Sequence, residues 1–373
     1  MQKYIGCKKE IYACFIDYAK AFDRVQHSEM MRILEKIGID GKDIRIIAHL
    51  YWHKKAAIRS GCDISPFTSI KRGVRQGCVL SPYLFNIYTE FIFRKTSNFP
   101  GLNIGGKKFN NIRYADDTVL LTENSEALQL LAEAVNKNSN DAGLEMNVKK
   151  TKTMVITKFP PSSKATSIKI KGEEIEQVDS FKYLGQEVND SNKQGEELKK
   201  RINLAKLKFV EMKSIFTSKE IKLRNKLRLV NCYIYSILLY GADTRTLPQS
   251  KLNKIEAFEM WIYRRLAKIS WKDKKTNQEV CDDLGTKREI AKTIKTRKIK
   301  YFGHIKRHTS FLKDVLEGKI EGSRPSGRQR RQWVDDIAEW TGKGIRQCSV
   351  EAQHRDKWRS VSSQLLEQGR YRE

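Results

Sequence analysis

One short run limits what this chain can fold into: Ile112-Arg113-Tyr114-Ala115-Asp116-Asp117-Thr118-Val119-Leu120-Leu121. Adjacent aspartates interrupt two strand-like apolar segments, so the pattern predicts a tight hairpin with the acids at its crown. Two carboxylates held side by side repel unless a divalent cation neutralises them, and hard oxygen donors favour Mg²⁺. The chain has two other such pairs, Asp282-Asp283 and Asp335-Asp336. Neither is framed by strands, and both read as solvated surface.

A second acid lies about a hundred residues upstream. Ile11-Tyr12-Ala13-Cys14-Phe15-Ile16-Asp17 reads as a short buried strand ending in a carboxylate. The residues after it, Tyr18 to Val25, leave the strand and turn. Alone, Asp17 reads as a cap of a helix or turn. Beside the hairpin it completes a set of three carboxylates able to hold two cations. Such a pair can activate a hydroxyl and stabilise the leaving group of an in-line displacement at phosphorus.

The wording of these segments resembles that of non-LTR (LINE-type) retrotransposon reverse transcriptases. Phe15-Ile16-Asp17-Tyr18-Ala19-Lys20-Ala21-Phe22-Asp23-Arg24-Val25 is similar to their first palm motif, and Tyr114-Ala115-Asp116-Asp117 to their catalytic hairpin. Between them, Gly73 to Phe85 resembles the nucleotide-binding motif. Gly143-Leu144-Glu145-Met146-Asn147 to Lys150-Thr151-Lys152 is similar to the next motif, and Phe181-Lys182-Tyr183-Leu184-Gly185 to the primer-grip hairpin. The five stand in the family's order.

The resemblance implies an α+β fold: an antiparallel palm sheet with helices on one face, then a helical thumb and a basic C-terminal region. It implies RNA-directed DNA polymerisation, with Asp17, Asp116 and Asp117 as catalytic metal ligands for two Mg²⁺ ions, Mn²⁺ being the alternative. The implied partners are an RNA template with a DNA primer, and deoxynucleoside triphosphates. Arg75, Gln76 and Gly77 would line the incoming nucleotide. Phe22 would be a steric gate against a 2′-hydroxyl, or a core phenylalanine. Lys150 would protonate the departing pyrophosphate, or be one solvated lysine of its run. Phe181, Tyr183, Leu184 and Gly185 would hold the primer end. Two other readings remain: a catalytically inactive nucleic-acid-binding remnant, and a maturase-like splicing factor.

Local chemistry accompanies these assignments. Arg75-Gln76-Gly77 reads as a loop whose glycine admits close backbone approach. Ser81-Pro82 then opens a helix, with Ser81 as N-cap and Leu84, Phe85, Ile87, Tyr88 and Phe91 along one side.

The charge balance points to a polyanionic partner. Of 373 residues, 72 are Lys or Arg and 44 Asp or Glu, a net charge of +28. Residues 1–200 carry 32 basic and 24 acidic side chains, and residues 201–373 carry 40 and 20, so the nucleic-acid clamp is expected in the second half. Seven cysteines without paired spacing argue for a reducing compartment, which with the family implies the nucleus and cytoplasm as a ribonucleoprotein. No apolar run is long enough for a membrane, and none is expected as a partner. His304 and His308 share a helical spacing with no second cysteine to complete a zinc knuckle, so no zinc is expected.

Periodicity predicts helices at Ser28–Ile37, about Lys42–His53, and about Ser125–Asp141, the last ended by Gly143. Pro160-Pro161-Ser162-Ser163 reads as a loop between strands. Long helices follow Gly195, with Leu198, Ile202, Ala205 and Phe209 on one stripe and further helices over Leu227–Leu239 and Leu252–Leu266. Three regions are expected: a palm at 1–195, a helical thumb-like region at 196–320 and a basic tail at 321–373. Gly322–Arg331 would precede Trp333 and Trp340 as a nucleic-acid contact or a flexible connector. Sixteen residues precede Asp17. Fingers and an endonuclease domain are therefore expected to be missing, as in a truncated element copy or an incomplete gene model.

Overall fold

In the computed structural model, which describes residues 1–52, 54–157, 167–190, 195–322 and 331–367, β1 (Ile11–Ile16) is buried at every position. Strand alternation sends its side chains to two cores. Tyr12, Cys14 and Ile16 enter a cluster shared with helices, while Phe15 faces the other way. β2 (Asn111–Tyr114) and β3 (Asp117–Thr122) form the expected hairpin, and β4 (Lys152–Ile156) lies on the far side of β1. The sheet order is β4-β1-β3-β2, all antiparallel, so Ile16 pairs with Thr118 and Asp17 emerges beside the hairpin turn.

Helices cover one face. α1 (His27–Lys36) and α2 (Gly41–Tyr51) follow the first acid, α3 (Ser81–Arg94) the glycine loop, and α4 (Ser125–Asp141) the hairpin. α4 packs on β1 and β3, and α3 packs on α4. Phe85 and Tyr88 of α3, Leu131 and Val135 of α4, and Ile33 and Leu34 of α1 meet in the helix-side core. Ser81 does not cap α3. The cap position is Leu80, Pro82 sits in the first turn, and the Ser81 hydroxyl is 3.1 Å from the Tyr51 hydroxyl instead. A second hairpin, β5 (Ser180–Tyr183) and β6 (Gln186–Asn189), closes the opposite face. This is an α+β unit of the expected kind.

The chain divides into two units, Met1–Asn192 with Lys319–Ser326, and Lys193–Gly318 with Gly327–Glu373. The second unit is helical among its described residues. Gly195–Glu211 and Gln249–Leu266 lie where the apolar stripes placed helices. The span Leu227–Leu239 is broken by a π-helical stretch at Val230–Tyr235. Residues beyond 320, expected as a basic tail, contribute Ile337, Trp340, Cys348, Trp358 and Val361 to the same core as Leu252, Ile255 and Phe302. Pro160-Pro161-Ser162-Ser163 and residues 323–330 lie outside the described residues.

Candidate active site

The acid site is built from main-chain bonds. Asp17 follows β1, and its carbonyl accepts from the Asn147 amide at 2.8 Å while its amide reaches the buried Thr151 hydroxyl at 3.4 Å. Ala19 donates to the Glu145 carbonyl at 2.9 Å, so the first acid segment is laced to residues 145–151. At the hairpin, Tyr114 pairs with Asp117, leaving Ala115 and Asp116 as a two-residue turn. Ala115 takes a left-handed φ of 53°, a strained choice for a residue with a Cβ. The Tyr183 hydroxyl donates to the Asp117 carbonyl at 3.3 Å and the Ile112 carbonyl at 3.5 Å, tying the second hairpin to the first.

Electrostatics bring the three acids together. The Asp117 carboxyl is pushed above the ordinary aspartate range by burial, then by the charges of Asp116 and Asp17. Among the described residues no hydrogen-bond donor serves the carboxylate oxygens of Asp116 or Asp117. The nearest cation to Asp17 is the exposed Lys150 ammonium, 4.0 Å from Oδ2. Also among the described residues, no three His, Cys, Asp or Glu side chains converge closely enough to form a finished metal cage. An unrelieved cluster of hard oxygen donors is the chemistry a divalent cation fits.

The remaining predicted residues fall around this centre. Phe22, half-buried, stacks on Phe85 with ring centroids 4.4 Å apart, and its carbonyl accepts from Val74 at 2.8 Å. That bond leads directly into the loop of Arg75, Gln76 and Gly77. Both side chains are exposed, and Gly77 takes a φ of +81°. Gly73 allows the contact: a Cβ there would lie 3.1 Å from the Asp23 carbonyl oxygen and 3.2 Å from its Cα. Phe181 stacks on Phe15 at 4.4 Å, and Tyr183 tilts against the same ring at 5.7 Å. Burial, and then Asp117, raise the Tyr183 phenol to about 12. Leu184 and Gly185 form the turn, both at positive φ.

Sequence reasoning gave no role to Phe15, Asn147 or Thr151, though these hold the site together. For Phe15 the signal was there: in a strand it must face away from Ile16, so it needed a partner on the second face. His304 and His308 lie with ring centroids 4.4 Å apart at the end of the helix Ile290–Arg307.

Residues 4–188 match the family model described as reverse transcriptase (RNA-dependent DNA polymerase). The chain belongs to the reverse transcriptase family. It is 30% identical over 188 residues to a Pol polyprotein from the type-1 retrotransposable element R2 of Nasonia vitripennis, covering 48% of this chain and 18% of that protein. It is 25% identical over 345 residues to the RNA-directed DNA polymerase from mobile element jockey of Drosophila funebris, covering 87% of this chain and 36% of that one. The non-LTR type read from the motifs agrees with both. The chain thus spans 18% and 36% of these relatives' length. A solved apo telomerase of Candida tropicalis aligns over 95% of this chain and 53% of its own, with TM-score 0.40 and 14% identity. No described helix of this chain is long and apolar enough to cross a membrane.

Proposed function

We propose that this chain carries the RNA-directed DNA polymerase activity of a non-LTR retrotransposon, acting on deoxynucleoside triphosphates, an RNA template and a DNA primer. The observation that carries the reading is the placement of Asp17, Asp116 and Asp117 together at the ends of neighbouring strands of a reverse transcriptase domain. These three would hold two Mg²⁺ ions, which when bound supply Lewis-acid activation of a primer hydroxyl and charge neutralisation at the phosphates. The chain's own groups do the rest. Lys150 stands beside Asp17 as a proton donor for the leaving group. Arg75 and Gln76 project from a loop bonded to the Phe22 segment and contact the incoming nucleotide. Phe22, held flat by Phe85, borders the sugar. Phe181, Tyr183, Leu184 and Gly185 form a hairpin anchored on Phe15 that supports the primer end. Intracellular work as a ribonucleoprotein accords with the scattered free cysteines.

The test is primer extension on a homopolymer RNA with the purified chain, an Asp116→Asn variant and an Asp282→Asn control. Asp282 is an exposed acid on the helix Asn277–Asp283, outside this site. Asp116→Asn keeps the shape and removes a charged ligand, so extension should fall by about 10²–10³-fold, the scale for losing one preorganised electrostatic group. The control should extend normally. Undiminished extension by Asp116→Asn refutes the catalytic assignment, and no extension by the parent chain favours the inactive remnant.

A further inference from the structure

The second unit holds a cleft of about 1030 Å³. Six of its twelve lining residues are basic, Lys213, Arg264, Arg265, Lys268, Lys274 and Lys275, and none is acidic. Its wall is aromatic: Trp261 meets Phe209 edge-on at 5.2 Å, and the Arg265 guanidinium lies 3.7 Å over the Trp261 ring. Low-dielectric walls around one sign of charge concentrate the field inside a concavity. Lys275 pairs with Asp283 at 2.6 Å, and no other cleft cation has an ion pair among the described residues. Burial without a carboxylate partner lowers the Arg265 pKa.

Helix Gln249–Leu266 accounts for part of this charge. Arg264 and Arg265 stand in its last turn, where cations oppose the helix dipole. Lys268 follows at the position that normally takes glycine. The Ile269 amide donates to the Arg264 carbonyl at 2.9 Å and the Lys268 amide to Arg265 at 3.3 Å, the double bond of a Schellman ending, with Lys268 at φ 58°. A lysine there is strained where glycine would be free. Lys274, also left-handed at φ 45°, and Lys213, the first residue of the separate helix Lys213–Thr217 and so at the end where the dipole opposes a cation, line the same space.

We propose that this cleft holds one single strand of nucleic acid by its phosphates. Cations lining a groove with an aromatic wall are the combination that holds a single strand, its phosphates on the basic side chains and its bases against the Trp261 side. The proposal rests on the nucleic-acid part of the reading above, not on turnover.

The experiment measures fluorescence anisotropy of a labelled single-stranded RNA 12-mer on the full chain at several salt concentrations. The variant is Lys213→Ala with Lys268→Gly and Lys274→Gly, which removes three charges and relaxes both left-handed positions, so folding is not threatened. Single strands release about 0.7 counterion per phosphate contact, so the log–log salt slope should become shallower by about two. A matched variant, Lys254→Ala with Lys287→Ala and Lys300→Ala, removes three exposed lysines outside the cleft and should change the slope far less. Equal losses in the two variants overturn the proposal, because the charge is then diffuse. So does an equal loss for a blunt RNA–DNA hybrid. A chain that binds single strands through the cleft but extends no primer sinks the polymerase reading and leaves the cleft assigned.

Discussion

Replacing Gly73 by alanine tests how the first acid segment is locked to the nucleotide loop. At φ +94° the backbone lies in the region that side chains avoid, which costs about 1–2 kcal/mol for any residue with a Cβ. The new methyl would also stand 3.1 Å from the Asp23 oxygen and 3.2 Å from its Cα, against an ordinary carbon contact of about 3.5–4.0 Å. Both neighbours are main chain and can retreat only by moving the turn itself. That turn carries two bonds, Gly73 N–H to the Val25 carbonyl at 2.7 Å and Val74 N–H to the Phe22 carbonyl at 2.8 Å. Weakening one of them adds about 1 kcal/mol, for a total of about 2–3 kcal/mol. Gly77 supplies the comparison. Its φ is +81°, yet a Cβ there meets nothing within 4 Å, so Gly77→Ala should show the strain alone, about 1–2 kcal/mol.

Amide hydrogen exchange in β1 is the assay, because five of the six tryptophans lie in the second unit and fluorescence would report the wrong one. A central strand exchanges mainly through unfolding of its unit, so protection should drop about 30- to 160-fold for Gly73→Ala and about 5- to 30-fold for Gly77→Ala. Equal losses would refute the reasoning. They would show that the turn yields freely and that close backbone approach does not join Phe22 to the Arg75 loop.

Phe22→Val should open space beside the sugar and raise ribonucleotide incorporation relative to deoxynucleotide in a competition assay; an unchanged ratio returns Phe22 to packing on Phe85 alone. In the second unit, burial lowers the Lys298 pKa to about 8 even though Asp336 opposes the shift. The unfolded chain then binds more protons between about pH 8 and 10.5, so stability should rise with pH across that window. Lys298→Met should abolish the rise and lower stability, because Asp336 then keeps Arg331 as its one cationic partner among the described residues. Urea unfolding followed by tryptophan fluorescence reads this, since Trp333 and Trp340 lie 4.9 and 5.3 Å from the ammonium. A flat or falling profile in the parent chain would refute it.

The elements legible in the sequence are those set by local pattern. Ser125–Asp141 was bounded correctly because its apolar stripe, its Asn124 cap and the Gly143 stop agree. The tight hairpin followed from two strands too close for a longer loop, but its turn is Ala115-Asp116, and Asp117, expected at the crown, opens the returning strand opposite Tyr114. Other features depended on partners distant in sequence. Ser81 looked like a cap, but its hydroxyl meets Tyr51, thirty residues earlier. The π-helical turn at Val230–Tyr235 keeps helical periodicity to the eye, so Leu227–Leu239 read as one regular helix. Trp333 and Trp340 suggested a nucleic-acid contact in a tail; instead Trp340 is buried, and both rings flank Lys298, a residue no local pattern would place at zero exposure.

The Asp-Asp pairs show why sequence cannot grade acids and structure can. Asp336, read as solvated, is fully buried, and its carboxylate receives Lys298, the Leu247 amide at 2.7 Å and Arg331 at 2.7 Å. Every strong donor within reach points at the side chain, so nothing remains for a ligand. That is a structural acid. Asp17 and Asp117 are held the opposite way. Asn147, Thr151 and Tyr183 bond their main-chain groups, which fixes where the carboxylates stand without neutralising them. Burial, and then the neighbouring charges of Asp116 and Asp17, raises the Asp117 pKa. The sheet tolerates that because β1 and β3 are stabilised elsewhere, by apolar burial on both of their faces. Positioning through the backbone, with side-chain oxygens left open, separates an acid kept for chemistry from one kept for the fold.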